Sequence, residues 1–387
     1  MTMDIIRDTE IQQIHQKFSD YPIVAILGPR QCGKTTLSRQ FIERYPFSET
    51  HFFDLEDPRD NYALDNSMAV LGACQGLVVL DEIQRKPDLF PALRVLADQN
   101  KGTKYLILGS SSLELVKTSS ESLAGRISFL ELGGLSLRDI PSTDFDKLWI
   151  RGSFPKSLLA RSESASVQWR EDFIHTFLEK DIHNLGINIP AVTMHRFWSM
   201  IANYHGQIYN SSEIGRSLGV SEHTSKRYLD ILTNTFIVRQ ILPWYSNTGK
   251  RLVKRPKVYF RDTGLLHTLL SLESKESLFR HPKLGASWEG FALEQTLTLL
   301  NMKEKPAYFW ATHAGAELDL LIFIDGNPIG IEFKFSETPK ITKSMRIAIE
   351  ELSLSKLIII SPIQKQFKLE EKIMVSSIHD VTKILHP

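Results

Sequence analysis

The sequence of 387 residues has little of several things, and each shortage excludes a class of protein. With only two cysteines, Cys32 and Cys74, it cannot be a small fold held together by several disulfides, and both thiols fit a reducing cytoplasm. The longest apolar runs, such as 77–80 and 357–360, are far too short to cross a bilayer. The N-terminus has acidic residues where a signal peptide has basic ones. We therefore expect a cytoplasmic protein with no membrane-spanning segment.

An excess of charge of one sign is also lacking, since 46 Lys and Arg stand against 45 Asp and Glu. The chain as a whole therefore gives no electrostatic argument for a nucleic-acid partner, and only a local patch could supply one. With 42% hydrophobic and 24% charged residues, the composition is that of an ordinary globular protein, and the length suggests two or three domains.

What the first third does contain is an alternation of apolar runs and helix-like stretches. Strand-like runs lie at 23–28, 51–58, 77–84 and 104–112, and the segment 127–140 is expected to close the domain. Continuous apolar strands separated by helices are typical of a parallel sheet with helices on both faces. We therefore predict an α/β domain of this kind over residues 1–145.

Two further domains are predicted after it. Residues 146–260 are mostly helical and end in a helix, a turn, a second helix and a strand, with Gly219 in the turn and Ser221 as the cap of the second helix. Residues 261–387 combine an amphipathic helix at 286–302 with several strands, two of which flank a hairpin turn at 325–327. The third domain is therefore expected to be α/β as well.

A phosphate-binding motif, GPRQCGKTT, follows the first strand at 28–36 and opens a helix. Such loops direct consecutive backbone N–H groups at a phosphate from a helix N-terminus. Lys34 would reach the β- and γ-phosphates, and the Thr35 hydroxyl would hold Mg²⁺. The alternative is a glycine turn with a solvated lysine. The predicted nucleotide-binding residues of the loop are Gly28, Pro29, Arg30, Gln31, Cys32, Gly33, Lys34, Thr35 and Thr36.

An independent signal is the pair Asp81-Glu82, which follows the apolar run LVVL. Acids at the carboxyl end of a buried strand are typical of a nucleotide site, where Asp81 would hold Mg²⁺ and Glu82 would orient and polarise the attacking water. The alternative is a helix-capping aspartate beside a surface glutamate.

Several weaker candidates complete this site. Ser110 and Ser111 follow the next strand, where a polar side chain would face the γ-phosphate, although serine is also a common turn residue. Arg126 could supply positive charge to the transition state, from the same chain or from a neighbouring subunit, or could simply be ion-paired. Glu56 lies at another strand end and is a candidate second carboxylate. Cys32 is interpreted as a tolerated small residue rather than a redox switch.

A local basic patch lies within residues 211–257, where nine basic residues stand against three acidic ones, a net charge of +6. A helix-turn-helix with a basic wing is the expected footprint for phosphate contacts with nucleic acid. Its second helix could present polar groups to DNA from Ser221, Thr224, Ser225 and Tyr228. The alternative is that this segment binds a protein or packs between domains.

A second cluster is predicted from strand periodicity near the C-terminus. Glu317 and Asp319 share one face of their strand, and Glu332 and Lys334 share one face of the next. A hairpin would bring Asp319, Glu332 and Lys334 together, and such a set can hold Mg²⁺ and activate water for phosphodiester cleavage. The alternative is a solvated sheet face with a salt bridge between the strands.

Taken in order, these motifs resemble the AAA-type ATPases of the bacterial and archaeal ATP-binding proteins that carry a C-terminal domain of unknown function. The motifs that carry the resemblance along the chain are GPRQCGKTT, FDLEDP, LVVLDEIQ, LILGSSS, SLAGR, FLEKDI, RPKVYFRDTGLL, WEGFALEQ, ELDLLI and IEFKFS. It covers nearly the whole chain. One small departure is Cys32, where the family often has an aliphatic residue.

The resemblance implies ATP binding through Gly33, Lys34, Thr35 and Asp81, with hydrolysis through Glu82. It also implies a winged-helix segment and a C-terminal fold similar to the PD-(D/E)XK nucleases. In that fold Glu289, on a helix, would join Asp319 and Glu332 as a metal ligand.

Two functions remain open. The first is an Mg²⁺-dependent ATPase whose nucleotide state repositions the winged helix and the nuclease-like domain, with nucleic acid as a further substrate that a metal-dependent site could cleave. The second is a nucleotide-dependent switch or scaffold that binds protein partners and has an inactive nuclease-like domain. Assembly into a homo-oligomer is compatible with both.

Overall fold

The computed structural model describes residues 5–99, 102–110, 123–182, 189–245, 253–303 and 305–385. The chain divides into two compact units. Unit 1 comprises residues 1–135 with 234–236, and unit 2 comprises 136–233 with 237–387. Three residues singled out from the sequence, Ser111, Lys250 and Arg251, lie outside the described residues.

Unit 1 is built on a five-stranded sheet in which every pairing is parallel. Its strands are β1 (Ile23–Leu27), β2 (Thr50–Asp54), β3 (Leu77–Asp81), β4 (Lys104–Gly109) and β5 (Ile127–Glu131). Its helices are α1 (Asp8–Asp20), α2 (Lys34–Arg44), α3 (Pro58–Ala63), α4 (Ser67–Gly72) and α5 (Leu89–Gln99), with short 3₁₀ turns at Leu64–Asn66 and Ile83–Arg85. The predicted parallel sheet is confirmed.

Both faces of this sheet are covered, as the apolar strands predict. Along β1, Ile23 and Ala25 pack into one core together with Leu93 of α5, whereas Val24 packs into a second core with Phe18 of α1. A strand whose side chains are buried on both faces has no polar alternation. This explains why β1 reads as an unbroken apolar run.

The order of the strands decides which residues can meet. It is β2-β3-β4-β1-β5, so β4 lies between β1 and β3. Because all five strands run the same way, the segments that follow β1, β4 and β3 emerge at one edge of the sheet. The phosphate loop, Ser110 and the Asp81-Glu82 pair are therefore neighbours although they are far apart in sequence.

Unit 2 contains a nine-stranded sheet in the order β13-β14-β12-β11-β10-β9-β7-β8-β6. Its strands are β6 (Gln207–Ile208), β7 (Val238–Pro243), β8 (Lys257–Phe260), β9 (Tyr308–Ala311), β10 (Glu317–Ile324), β11 (Asn327–Phe333), β12 (Lys356–Ile360), β13 (Phe367–Lys368) and β14 (Ile373–Ser376). Its helices are α6 (Phe145–Arg151), α7 (Pro155–Leu158), α8 (Glu163–Thr176), α9 (Ala191–Asn203), α10 (Ser211–Leu218), α11 (Glu222–Asn234), α12 (Thr263–Leu269), α13 (Lys275–Phe279), α14 (Leu284–Leu299), α15 (Lys343–Glu351) and α16 (Val381–Leu385). A π-helical turn at Phe177–Asp181 continues α8, and 3₁₀ turns lie at Ser142–Asp144 and Ile378–Asp380.

The predicted helix, turn and helix are present as α10 and α11. Gly219 ends α10 in the left-handed region at φ 73°, which favours glycine. The Ser221 hydroxyl accepts a hydrogen bond of 3.0 Å from the Thr224 N–H, so it caps α11 as predicted. The chain then returns through β7, which pairs antiparallel with β8, and β8 pairs antiparallel with β6.

The predicted hairpin is also confirmed. β10 and β11 pair antiparallel with Ile324 opposite Asn327, and Asp325 and Gly326 turn the chain at φ 50° and 79°. On its other side, β10 pairs with β9, which in turn pairs with β7. The strands after the helix-turn-helix and the C-terminal strands therefore belong to one continuous sheet.

Among the described residues, no helix combines the length and the apolar composition needed to cross a membrane.

Candidate functional site

The phosphate loop takes its shape from two residues with positive φ. Gln31 has φ 62°, and Gly33, at φ 102°, directly precedes the first residue of α2. The Lys34 side chain is buried, and its Nζ donates to the carbonyl oxygens of Gly28 and Pro29 at 3.0 Å each. The lysine charge is thus held inside the curve of the loop rather than in solvent, contrary to the alternative of a solvated lysine.

The Thr35 hydroxyl, at the start of α2, donates to Asp81 Oδ2 over 2.7 Å. Asp81 is the last residue of β3 and is 6% exposed. Burial raises the pKa of this carboxyl, while the Thr35 hydrogen bond acts in the opposite direction. A hydroxyl and a carboxylate side by side at a helix N-terminus are oxygen donors of the kind that Mg²⁺ prefers. The two residues therefore fit the predicted metal role.

The Glu82 carboxylate accepts hydrogen bonds from Ser110 and Gln84, and this combination was not predicted from the sequence. Ser110 Oγ donates to Glu82 Oε2 at 3.1 Å, and Gln84 Nε2 donates both to the Glu82 carboxylate and, at 2.8 Å, to Ser110 Oγ. Glu82 itself has φ 54°, a strained conformation for a non-glycine residue of the kind that clusters at functional sites. Gln84 was not predicted as a site residue. The signal that could have identified it was its position two residues after Glu82.

Glu56 does not stand free as a second carboxylate. Its Oε1 accepts from Arg30 Nη2 of the phosphate loop at 2.6 Å and from Arg85 Nη2 at 3.0 Å. Arg85 was also missed by sequence reasoning. The arrangement connects the phosphate loop to the segment that follows Glu82 through one carboxylate.

The structure corrects the expectation for Arg126 as a residue acting on its own chain's nucleotide. It precedes β5, and its carbonyl accepts from the N–H of Ile23, the first residue of β1. It therefore lies at the amino end of the sheet, about 15 Å from the phosphate-loop edge at ~3.3 Å per strand residue. Its guanidinium donates to both oxygens of Asp98, at 2.6 and 2.8 Å. A role toward a neighbouring subunit stays a prediction.

Gly28 is required by a close approach of the backbone rather than by its dihedral angles. A Cβ at this position would lie 2.0 Å from the carbonyl oxygen of Leu132. The buried Cys32 thiol also faces this oxygen, at 3.7 Å, which agrees with its interpretation as a small packing residue.

We therefore expect Gly28→Ala to destabilise unit 1 by roughly 2–3 kcal/mol, because the clash is with backbone that has to shift. Urea unfolding followed by circular dichroism measures the change. Gly285→Ala is the matched control, since nothing lies within 4 Å of a Cβ there and alanine favours a helix by about 1 kcal/mol. Equal stability of Gly28→Ala and the wild type would show that the loop backbone is free to move.

The basic patch of unit 2 is smaller than its charge count suggests. Arg216, Lys226, Arg227, Lys254 and Arg255 are exposed. Two others are not available to a phosphate, since Arg239 Nη2 donates to Glu294 Oε2 at 3.2 Å and Lys257 is 2% exposed. The exposed patch therefore does not include Arg239 and Lys257.

The expected polar groups of α11 are also corrected in part. Ser225 and Tyr228 are 0% and 7% exposed, and the Ser225 hydroxyl lies 2.5 Å from the Tyr209 hydroxyl inside the core. The helical period turns both residues toward the interior, so they cannot face DNA. Ser221 and Thr224 remain at the surface end of the helix.

The C-terminal cluster is assembled as the hairpin predicts, and it is buried. Asp319 and Glu332 are 5% and 4% exposed, so this face is not solvated, whereas the salt bridge that the alternative also expected is present between Lys334 and Asp319. Lys334 Nζ lies 2.7 Å from Glu332 Oε2 and 3.5 Å from Asp319 Oδ2, and the Phe333 N–H donates to Asp319 Oδ2 at 3.0 Å.

Two residues of β8 complete this cluster and were not foreseen. Lys257 Nζ lies 3.4 Å from Glu289 Oε1, lies 3.6 Å from Asp319 Oδ1 and pairs with Glu317. The Tyr259 hydroxyl donates to Glu289 Oε1 at 2.6 Å. β8 precedes the hairpin by more than fifty residues, so no local pattern connects the two.

Burial raises the pKa of Glu289 to about 7 and that of Glu332 to about 8, and in both cases the charge of Asp319 adds to the effect. Burial acts on Asp319 in the same direction, but Lys257 and Lys334 outweigh it and lower the pKa of this carboxyl. Among the described residues, no group of three or more His, Cys, Asp or Glu side chains is arranged to hold a metal ion. The metal role of Glu289, Asp319 and Glu332 stays a prediction.

Comparison with known proteins divides the chain into three matched regions. A family model described as an AAA domain matches residues 20–140. Models described as domains of unknown function match residues 142–276 (DUF8612) and 284–381 (DUF4143). The first match and the phosphate loop together show a P-loop ATPase domain of AAA type in unit 1.

Over 354 residues, the chain is 49% identical to an uncharacterized protein of Mycobacterium tuberculosis, a match that covers 91% of this chain and 79% of that protein. The chain belongs to the family of this mycobacterial protein. An uncharacterized protein of Haemophilus influenzae is 25% identical over 296 residues, which cover 67% of this chain and 72% of that protein. Among solved structures, a Walker-type ATPase of Pyrococcus abyssi is similar at 14% identity and a TM-score of 0.49, over 69% of this chain and 96% of that chain.

Proposed function

We propose that this protein binds ATP with Mg²⁺ at the phosphate loop of unit 1 and hydrolyses it. The observation that carries the proposal is the 2.7 Å contact between Thr35, on the phosphate loop side, and Asp81, at the end of β3. This contact supports the proposal because it joins the two segments that the proposal assigns to the nucleotide, with Glu82 next in the chain. ATP binding is tested by Lys34→Ala, and ATP hydrolysis is tested by Glu82→Gln.

In this proposal the loop N–H groups and the Lys34 ammonium bind the β- and γ-phosphates. Thr35 and Asp81 would hold Mg²⁺, Asp81 directly or through water, and the ion would neutralise charge on the phosphate oxygens. Glu82 orients a water molecule and accepts its proton as the water oxygen bonds to the γ-phosphorus and the bond to the bridging oxygen breaks. Ser110 and Gln84 hold the Glu82 carboxylate before that step.

We further propose that nucleotide state controls binding of nucleic acid by a cytoplasmic protein organised as three domains, over 1–145, 146–260 and 261–387. The helix-turn-helix α10–α11 with β6, β7 and β8 is interpreted as a winged helix. Support comes from its exposed Arg216, Lys226 and Arg227, together with Lys254 and Arg255 ahead of β8. Exposed basic side chains close together in sequence favour binding to a phosphate backbone.

The nucleic-acid proposal predicts a change in salt dependence. Replacing Lys250, Arg251, Lys254 and Arg255 by Ala should weaken binding similarly across sequences. It should also flatten the slope of log affinity against log salt by about one unit for each phosphate that the variant no longer neutralises. The measurement is a salt-titrated binding assay with single- and double-stranded DNA and RNA, with and without a slowly hydrolysed ATP analogue.

The control is Arg346→Ala with Lys383→Ala, two basic residues of unit 2 whose side chains are 60% and 79% exposed. This variant removes exposed charge from the same unit outside the proposed interface and should leave the slope unchanged. Equal slopes for the four-residue variant and the wild type would mean that this segment does not bind phosphate.

A second candidate function is a nucleotide-dependent switch or scaffold for a protein partner, with a catalytically inactive nuclease-like domain. The observation that favours it is the pairing of the C-terminal carboxylates with Lys257 and Lys334. A partner that is captured after nuclease treatment, and only in one nucleotide state, would support this function over the first. Assembly into a homo-oligomer fits either one.

A further inference from the structure

The C-terminal cluster contains a lysine that comes from outside the hairpin. Lys257 is the first residue of β8, where it lies opposite Ile208 of β6 and Ile241 of β7. Its side chain is 3% exposed, whereas that of Lys334, the other ammonium of the cluster, is 39% exposed. Lys257 is therefore an internal cation, and a buried ammonium is stable only when carboxylates surround it.

The contacts of Lys257 are those that a bound cation would make. Its Nζ pairs with Glu289 of α14 and with Glu317 and Asp319 of β10, that is, with acids from two separate elements. Two of these, Glu289 and Asp319, are the acids predicted to hold a metal ion. The third predicted ligand, Glu332, is paired with Lys334 at 2.7 Å. Each predicted ligand thus already faces an ammonium group.

This donor set does not fit a divalent cation. Mg²⁺ requires about six oxygen ligands at close to 2.0–2.1 Å in octahedral geometry, and an ammonium placed among the carboxylates takes the position of the ion. The space beside the predicted ligands is already occupied, because Lys257 Nζ lies 3.4 Å from Glu289 Oε1 and 3.6 Å from Asp319 Oδ1, and Lys334 Nζ lies 2.7 Å from Glu332 Oε2.

We infer that the Lys257 ammonium is the resident cation of this cluster and excludes a divalent metal ion, so that the C-terminal domain is a nuclease-like fold without a metal-dependent nuclease site. The inference deepens the second candidate function and rests on it, not on the ATPase activity of unit 1.

The cluster then has a different task. Lys257 and Tyr259 both lie on β8, and both contact Glu289 of α14. Through Asp319, Lys257 also contacts β10. The cluster therefore connects β8 to α14 and to β10 of the hairpin through ion pairs and a hydrogen bond. We expect a partner that binds near β8 to affect α14 and the β10–β11 hairpin through these contacts.

The test compares Mn²⁺ binding by the nucleotide-free full chain with that of Asp319→Asn and of Glu289→Gln. Mn²⁺ suits carboxylate oxygens, and its free concentration can be read by electron paramagnetic resonance. Any Mn²⁺ at Thr35 and Asp81 is common to all three proteins, so the difference reports the C-terminal cluster alone. We expect equal numbers of bound ions. One ion more in the wild type than in both variants, or Mn²⁺-dependent cleavage of DNA or RNA that is absent from Asp319→Asn, would overturn the inference.

The complementary variant is Lys257→Met, which keeps the length of the side chain and removes its charge. Leaving the acids without their ammonium should lower Tm by roughly 5–10 °C. It should also create a Mn²⁺ site whose stabilisation grows with the logarithm of ion concentration, and Lys257→Met with Asp319→Asn should lack it. A folded Lys257→Met that gains no Mn²⁺ site would also contradict the inference.

If Lys257→Met fails to fold, the comparison of Mn²⁺ binding by the wild type, Asp319→Asn and Glu289→Gln still tests the inference. ATP turnover measured on the same samples separates the two proposals, because Lys257 belongs to unit 2 and takes no part in the proposed ATPase chemistry. Normal turnover with an extra Mn²⁺ bound by the wild type refutes only the inference. Absent turnover with equal numbers of bound Mn²⁺ refutes only the proposed ATPase.

Discussion

Lys34→Ala is expected to weaken ATP binding at least ~100-fold, or about 2.7 kcal/mol. The Lys34 Nζ is buried within the phosphate loop, 3.0 Å from the carbonyl oxygens of Gly28 and Pro29, so it is already positioned where phosphate oxygens would bind. A charge-assisted hydrogen bond to a phosphate oxygen is roughly twice as strong as a neutral one, and alanine provides none. Isothermal titration with ATP and Mg²⁺ measures the weakening.

The matched control is Lys17→Ala, which removes the same charge from α1 of the same unit, where Lys17 donates to Ser128 Oγ at 3.2 Å. It should bind ATP as the wild type does, which would show that the effect of Lys34 is local. A Lys34→Ala protein that binds within threefold of the wild type would remove this lysine from the nucleotide site.

The phosphate loop could be predicted from sequence because its determinants are consecutive. Gly33 and Lys34 carry the conformation and the charge within a few residues of each other, and a short-range pattern is enough to recognise them. The contact between Thr35 and Asp81 could be expected only in outline, since it depends on β4 lying between β1 and β3. Strand order is a long-range property that the pattern of one segment does not contain.

The position of Arg126 relative to β5 separates it from the nucleotide edge of its own sheet. This residue comes directly before β5, whereas phosphate loops and acidic pairs come directly after their strands. In a parallel sheet these two positions lie at opposite edges. A residue that precedes a strand is therefore a poor candidate for the nucleotide of its own subunit, whatever its charge.

The C-terminal cluster was predicted only in part from the sequence. The turn at 325–327 sets the register that brings Asp319 and Glu332 together, so their proximity followed from local sequence. The charge count over 211–257 treated Lys257 as a free basic residue, but its partners Glu289 and Asp319 lie on elements that are distant in sequence. Counting charges along a segment cannot distinguish an exposed lysine from one that is neutralised inside a fold.

Glu82→Gln is expected to retain ATP binding and to reduce turnover by roughly 10²-fold or more, as for the loss of a general base. Glutamine has nearly the shape of glutamate but cannot accept a proton from water. Its amide oxygen can still accept hydrogen bonds from Ser110 and Gln84, which in this structure both donate to the Glu82 carboxylate. The loop geometry should therefore survive, and the rate of phosphate release measures the defect.

Glu43→Gln makes the same chemical change at an exposed position of α2 and should turn over ATP at the wild-type rate. The two variants differ only in where a carboxylate is removed, so a defect confined to Glu82→Gln reports its role at the site. Normal turnover by Glu82→Gln would require another base. Glu56, whose Oε1 accepts hydrogen bonds from Arg30 and Arg85, would be the next carboxylate to test. The rate of ATP turnover by Glu82→Gln therefore decides whether Glu82 acts as the general base or only lies beside the nucleotide.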